Sequence, residues 1–254
     1  MIVTPLFSGM GLGNMLANYV TTRCLALDKG YDFGVMYPEN FKGFSFMELD
    51  MGLPVIGGEI PIEGQTPTLL PEGIQTYYRE EMIGNGEYDP KMFELENNTL
   101  IHGNLQGEMY FKKHEDEVRE WLKVEPLELP DDLCIINFRG GEYKYVKEFH
   151  LPKSYWKQAI SVMKAVNPDM RFEVHTDDPD EARTYFDCPI VKDIGLNWRS
   201  VRYARYLIIS NSSFAFLPAW LGDANLVVAP KYWGRRNLGY WHLEQNKTNR
   251  FTYI

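Results

Sequence analysis

Cysteine is scarce in this chain. Its 254 residues include three, Cys24, Cys134 and Cys188, widely spaced and odd in number. No CxxC pair and no Cys/His ligand spacing occurs, so neither a disulfide framework nor a zinc site is expected. Free thiols suit a reducing compartment, and a cytoplasmic location is expected. Basic residues are outnumbered: 26 Lys and Arg stand against 35 Asp and Glu, a formal charge of −9. A chain without a broad basic face has little means of holding nucleic acid by its phosphates. No apolar run is long enough to span a bilayer. The N-terminus lacks a basic stretch leading into an apolar one, so no signal peptide is expected. Without secretion the sequons at Asn97, Asn211 and Asn246 carry no meaning. What is present is a globular composition, 44% hydrophobic, 14% aromatic and 24% charged. That suffices for a sizeable core in one large or two small domains.

The chain opens as a strand (Met1 to Phe7), a glycine-rich turn (Ser8 to Asn14) and an amphipathic helix from Met15 to Lys29, stopped by Gly30. A second strand is expected over Tyr31 to Tyr37. This β-loop-α-β unit favours an α/β fold. The turn is similar to the dinucleotide fingerprint GxGxxG with Asn14 in the third glycine position; a plain tight strand-to-helix turn uses the same residues. Residues 38–98 are rich in Pro and Gly and read as loops and short edge strands, with a helical patch near Asp89 to Glu96. This irregular region is a candidate acceptor-facing surface or a decorated one. Leu100 to Gly103 reads as a strand and Lys112 to Lys123 as a charged helix. The run 125–132, with two prolines and four acids, reads as a linker. The expected domains are 1–129 and 130–254.

The second half repeats strand and helix. Leu133 to Phe138 is a short apolar run ending at Arg139-Gly140-Gly141. Helix Pro152 to Val166 follows, then strand Phe172 to Thr176 ending at Asp177-Asp178, then a short helix from Asp180 to Phe186 behind Pro179. A helix over Val201 to Tyr206 and a strand Leu207 to Ile209 lead to Ser210-Asn211-Ser212-Ser213. A helix Phe214 to Leu221 follows, and Leu226 to Ala229 is expected to close the sheet. The tail, with Trp233, Arg235, Arg236, Tyr240, Trp241 and His242, reads as a final helix or loop.

Three strands thus end in polar residues. In a parallel α/β sheet such ends share one edge, and ligands bind beyond it. Arg139 offers a planar fork suited to phosphate, and the two glycines let backbone N–H groups approach. Ser212 and Ser213 at a helix N-terminus add donors for an anion. Asp177 or Asp178 could accept from a base or ribose. Together these residues suit a nucleotide diphosphate. Alternatives remain for each: an ion pair of Arg139 with Glu142 or Asp178, and helix capping by Asp177, Asp178, Ser212 or Ser213. His175, in mid-strand, reads as a satisfied core histidine.

These residues also carry a resemblance. INFRGGEY (136–143) resembles the HxRRGDY signature of glycosyltransferase family 11, the α-1,2-fucosyltransferases and their relatives. GMGLGNMLANYV (9–20) is similar to that family's GGLGNQMFQYA opening, and GNLQGEMYF (103–111) to its GYxQSExYF segment. VHTDDP (174–179) is similar to an (S/T)DDP element shared with α-1,6- and O-fucosyltransferases. ISNSSFAFLPAWL (209–221) resembles IANSSFSWWGAWL, and VVAPKYW (227–233) resembles the strand that follows it. The order and spacing hold over nearly the whole chain. The resemblance implies a GT-B-like fold, two Rossmann-like halves facing across a cleft. The first would be an acceptor-side domain and the second would hold the donor. It implies inverting, metal-independent transfer of fucose from GDP-fucose to a glycan hydroxyl, with no cofactor and with Arg139 and Glu142 as catalytic residues. Donor contacts are implied for Asn137, Gly140, Gly141 and Tyr143. They are implied also for Thr176, Asp177 and Asp178, and for Asn211, Ser212, Ser213 and Phe214. Gly11, Gly13 and Asn14 would contribute from the first half. The sequence departs from the pattern at four places. Asn137 replaces a histidine, Gly140 the second arginine and Glu142 an aspartate, and SSFAFL lacks a tryptophan pair. A different GDP-sugar, or a non-catalytic binder of nucleotide sugar or glycan, are the readings those departures leave open. A Rossmann dehydrogenase would give Arg139 no role.

Overall fold

The computed structural model describes all residues except 63–64, 82–87, 236–240 and 244–247. The chain divides into two units, Met1–Lys123 and Val124–Ile254, where the sequence places the boundary at 129/130. Each holds its own parallel sheet with helices, an α/β architecture.

In the first unit, β1 (Ile2–Pro5), α1 (Leu12–Lys29) and β2 (Phe33–Met36) form the expected βαβ element. Strands β3 (Thr76–Arg79) and β4 (Thr99–His102) complete a four-stranded sheet in the order β2-β1-β4-β3, all parallel. The strand order reverses between β1 and β4, which makes their C-terminal ends the crevice of this sheet. Helix α1 starts earlier than its periodicity indicates. Gly11 is its extended N-cap and Met15 N donates to Gly11 O at 3.0 Å, so Gly13 and Asn14 lie inside the first turn. It ends as expected: Gly30 adopts the left-handed conformation (φ 64°) and returns its N–H to the last turn. The patch near Asp89 to Glu96 is a 3-10 turn, Pro90–Glu94, capped by Asp89. The charged helix is shorter than expected, a 3-10 turn at Lys112–His114 followed by α2 (Glu115–Trp121). His114 breaks helical geometry there and its ring pairs with Asp28 of α1 at 2.8 Å.

The second unit contains β5 (Leu133–Phe138), α3 (Lys153–Val166), β6 (Arg171–Thr176), α4 (Pro179–Arg183), β7 (Ile190–Val191) and α5 (Ile194–Tyr203). It continues with β8 (Tyr206–Ile208), α6 (Ser213–Leu221), β9 (Leu226–Ala229), β10 (Tyr232–Arg235), β11 (Trp241–Leu243) and β12 (Thr252–Tyr253). Its six-stranded sheet has the order β12-β9-β8-β5-β6-β7 and every pairing is parallel. Counted along the chain, this is the doubly wound dinucleotide-fold order, reversing between β5 and β8. Period-2 alternation turns Cys134, Ile136 and Phe138 into one core with Trp156, Ala159 and Met163 of α3, while Asn137 faces the other way. Fully burying a side chain the size of Ile136 or Phe138 contributes about 1.5–3 kcal/mol.

Three expectations are corrected. Helix α5 begins at Ile194, well before Val201, because Asp193 caps it by accepting from Leu196 N at 2.7 Å. Among the described residues the tail forms β10 and β11, paired as an antiparallel ribbon where a helix or loop is expected, while Arg236 and Tyr240 lie outside the described residues. And β9 does not close the sheet, since β12 adds outside it. Among the described residues no helix is long and apolar enough to cross a membrane.

Candidate functional site

Strands β8, β5 and β6 are adjacent and parallel, so the three polar strand ends lie side by side on one sheet edge. The register pairs Phe138 with Thr176, so Arg139 and Asp177 leave the sheet as neighbours. They form an ion pair: Asp177 Oδ2 accepts from Arg139 Nη1, and Asp177 Oδ1 accepts from Gly140 N at 3.0 Å. Arg139 Nη2 donates to Glu142 at 2.5 Å, and its guanidinium carbon lies 5.3 Å from the centre of the Tyr143 ring. The ion-pair alternative for Arg139 is therefore realised, with Asp177 and Glu142 as the partners and not Asp178.

The adjacent aspartate has a different task. Asp178 caps α4, accepting from Glu181 N at 3.2 Å, and pairs with Lys144 at 2.6 Å. That bond from Lys144 holds its carboxyl below the usual carboxylate range and raises the Lys144 ammonium in return. Thr176 is buried, and its hydroxyl accepts from Asp178 N at 3.0 Å. Gly140 and Gly141 are required sterically. A Cβ on Gly140 would lie 2.6 Å from Asp178 Cβ, and one on Gly141, at φ 41°, would lie 2.4 Å from Asp177 Oδ2. This is a physical reason for glycine at 140, where the signature that the sequence resembles has a second arginine.

The β8 side is linked to β5 by hydrogen bonds. Ser210 Oγ donates to Asn137 Oδ1 at 2.9 Å, both residues being buried. Asn211 is buried and donates to Phe149 O at 3.0 Å; its own carbonyl accepts from the Tyr143 hydroxyl at 3.5 Å. Ser212 is the N-cap of α6, yet its hydroxyl makes no capping bond, and Ser213 opens the helix. The positive end of α6 therefore sits at this edge. Phe214 packs edge-on against Trp198, ring centres 5.7 Å apart. His175 is fully buried between Asn197 (2.9 Å) and Glu173 (2.8 Å), the satisfied core histidine expected. Lys144 was missed by sequence reasoning, though it had a signal, a cation five residues after Arg139 in the same loop; Ser210 stood in the polar strand end 210–213 without a role of its own.

Gly11, Gly13 and Asn14 belong to the first unit, at the β1/β4 crevice. There Gln106 Nε2 donates to Asn14 Oδ1 at 2.8 Å, bringing the two glycine-containing motifs together. The Gly103–Gln106 loop is fixed from below. Buried Glu80 accepts from Leu105 N at 2.9 Å and from the Tyr110 hydroxyl at 2.8 Å, and Thr21 donates to Leu105 O at 2.8 Å. Burial pushes the Glu80 carboxyl above its ordinary value.

No protein-family model matches the chain, and no characterised protein matches it by sequence. The solved structures similar to it include the following two. The heptosyltransferase WaaC of E. coli with ADP is 10% identical over 100% of this chain and 93% of that one, with a TM-score of 0.44. The α-1,6-fucosyltransferase NodZ soaked with GDP-fucose is 11% identical over 87% of this chain and 92% of that one, also with a TM-score of 0.44. A likeness at this level assigns no substrate or residue.

Proposed function

We propose that this chain is a glycosyltransferase that takes its sugar from a nucleotide donor, GDP-fucose before other GDP-sugars. It transfers that sugar to a glycan hydroxyl with inversion and without a metal. The observation that carries this reading is the single sheet edge on which Arg139, Gly140 N–H and the N-terminus of α6 meet, at the reversal point of a dinucleotide-type sheet. Arg139 and the α6 terminus would stabilise charge on the departing diphosphate, aimed donors being the largest common source of rate enhancement. Asp177, released from Arg139 by the ligand, would accept from ribose hydroxyls. Glu142, with its side chain 71% exposed, is the carboxylate available to take the acceptor's proton or to orient Arg139. The first unit would take the acceptor. The six motifs in family order support the choice of fucose.

A second reading, a weak or inactive binder of nucleotide sugar or glycan, is favoured by one fact: the only arginine of the signature is already paired to two carboxylates. Fucose release or transfer from GDP-fucose in the presence of EDTA, across a panel of glycan acceptors and other GDP-sugars, separates the two. Turnover in EDTA supports the transferase. A melting temperature raised by GDP without turnover on any acceptor favours the binder, and a strict Mn²⁺ requirement contradicts the mechanism.

A further inference from the structure

The end of β5 offers an anion two donors, the Arg139 guanidinium and the Gly140 N–H, and one carboxylate of the protein holds both. We propose that Asp177 is an internal competitor for the phosphate site and sets its specificity, so that only a ligand more highly charged than a single carboxylate displaces it. The proposal rests on the diphosphate reading of this edge. A carboxylate and a phosphate engage parallel donors in the same two-pronged way, so Asp177 sits as a phosphate would.

Three further features agree. The first is register: Phe138 opposite Thr176 makes Asp177 the neighbour of Arg139, a position the fold imposes. The second is space, because glycine at 141 leaves room for the Asp177 carboxylate itself, which a Cβ there would meet at 2.4 Å. The third is charge. Arg139 and Lys144 face Glu142, Asp177 and Asp178, two positive groups against three negative, a net of one negative. With Asp177 displaced the remaining two cations and two carboxylates balance, so an anion enters by replacing Asp177 and not by adding beside it. A monocarboxylate then makes only the bonds it breaks, whereas a diphosphate has further oxygens for the α6 terminus. The two aspartates divide the labour. Asp178 is held by Lys144 and by its cap, whereas the Asp177 side chain is 31% exposed and can rotate into solvent once replaced.

Inorganic pyrophosphate tests this, because it has no ribose for Asp177 to contact. Calorimetric titrations at neutral pH would compare the full wild-type chain with Asp177→Asn, Asp177→Ser, Arg139→Ala and the Arg139→Ala/Asp177→Asn pair, with acetate as the monoanion. Two substitutions at 177 keep the test available if one fails to fold. Pyrophosphate is expected to bind the 177 variants at least about tenfold more tightly than wild type, that is by roughly 1.4 kcal/mol. The gain should vanish in the double variant, and acetate should bind a 177 variant but not wild type. Arg139-dependent binding that is unchanged or weaker in both 177 variants overturns the competitor role and leaves the diphosphate reading standing. Pyrophosphate that binds none of the proteins overturns both.

Discussion

Replacing Gly140 by alanine tests the geometry of the strand ends. The new Cβ would stand 2.6 Å from Asp178 Cβ and 3.2 Å from its Cγ, well inside the roughly 3.5–4.0 Å of ordinary carbon contact. Asp178 cannot relieve this by rotating, because the nearest atom is its Cβ, and its carboxylate is tied to Glu181 N and Lys144. The end of β6 must therefore move away from β5. Overpacking of this kind costs about 1–3 kcal/mol. For a chain of this size each kcal/mol lowers Tm by about 2–4 °C, so a loss of roughly 2–12 °C is expected by scanning calorimetry. The same displacement moves the Gly140 N–H out of its place beside the Arg139 guanidinium, and so should weaken GDP binding. A Tm within about a degree of wild type, with GDP binding intact, would refute the steric explanation for glycine at this position.

Two other predictions concern ionisation. Asp178→Ala removes the α4 cap and the partner of Lys144, and should cost about 0.5–2 kcal/mol at neutral pH in urea unfolding. Because the Asp178 carboxyl is held below its ordinary value, its contribution is fully present above the unfolded carboxylate pKa of about 3.9 and is lost as pH falls through the lower folded value. The difference between variant and wild type should therefore disappear only in acid. Glu80 behaves oppositely. Burial raises its pKa, so wild type loses stability as pH rises from about 4.3 through the raised folded value. Glu80→Gln should flatten that part of the stability profile, and a profile as steep as that of wild type would assign the slope to other groups.

Much of the fold was legible where apolar runs ended in turn signals. Leu133–Phe138 and Leu226–Ala229 are strands over the residues the sequence indicates, because a parallel strand buried on both faces reads as a near-continuous apolar run. The convergence of Arg139, Asp177 and Ser212 on one edge followed from reading those strands as parallel. What was not legible depended on partners distant in sequence. The start of α5 is masked by buried polar residues, Asn197 and Ser200, that interrupt its apolar face. Strand β7 is two residues long and exists through its pairing to β6. The helical placement of Gly13 and Asn14 runs against glycine's low helix propensity, and the helix forms because α1 is packed along most of its length. The Arg139–Asp177 pair follows from strand register, which residue types alone do not encode.

A titration of GDP against the full chain tests the donor site most directly, with Arg139→Ala at the C-terminal edge of the sheet and Arg171→Ala, paired to Asp132 at the start of β6, as the control. The expected result is saturable binding to wild type and to Arg171→Ala, with a loss of about tenfold to more than a hundredfold in Arg139→Ala, as for removal of a charge-assisted hydrogen-bond donor. GDP binding that is equal in Arg139→Ala and wild type, or absent from wild type, would contradict a diphosphate site at the end of β5.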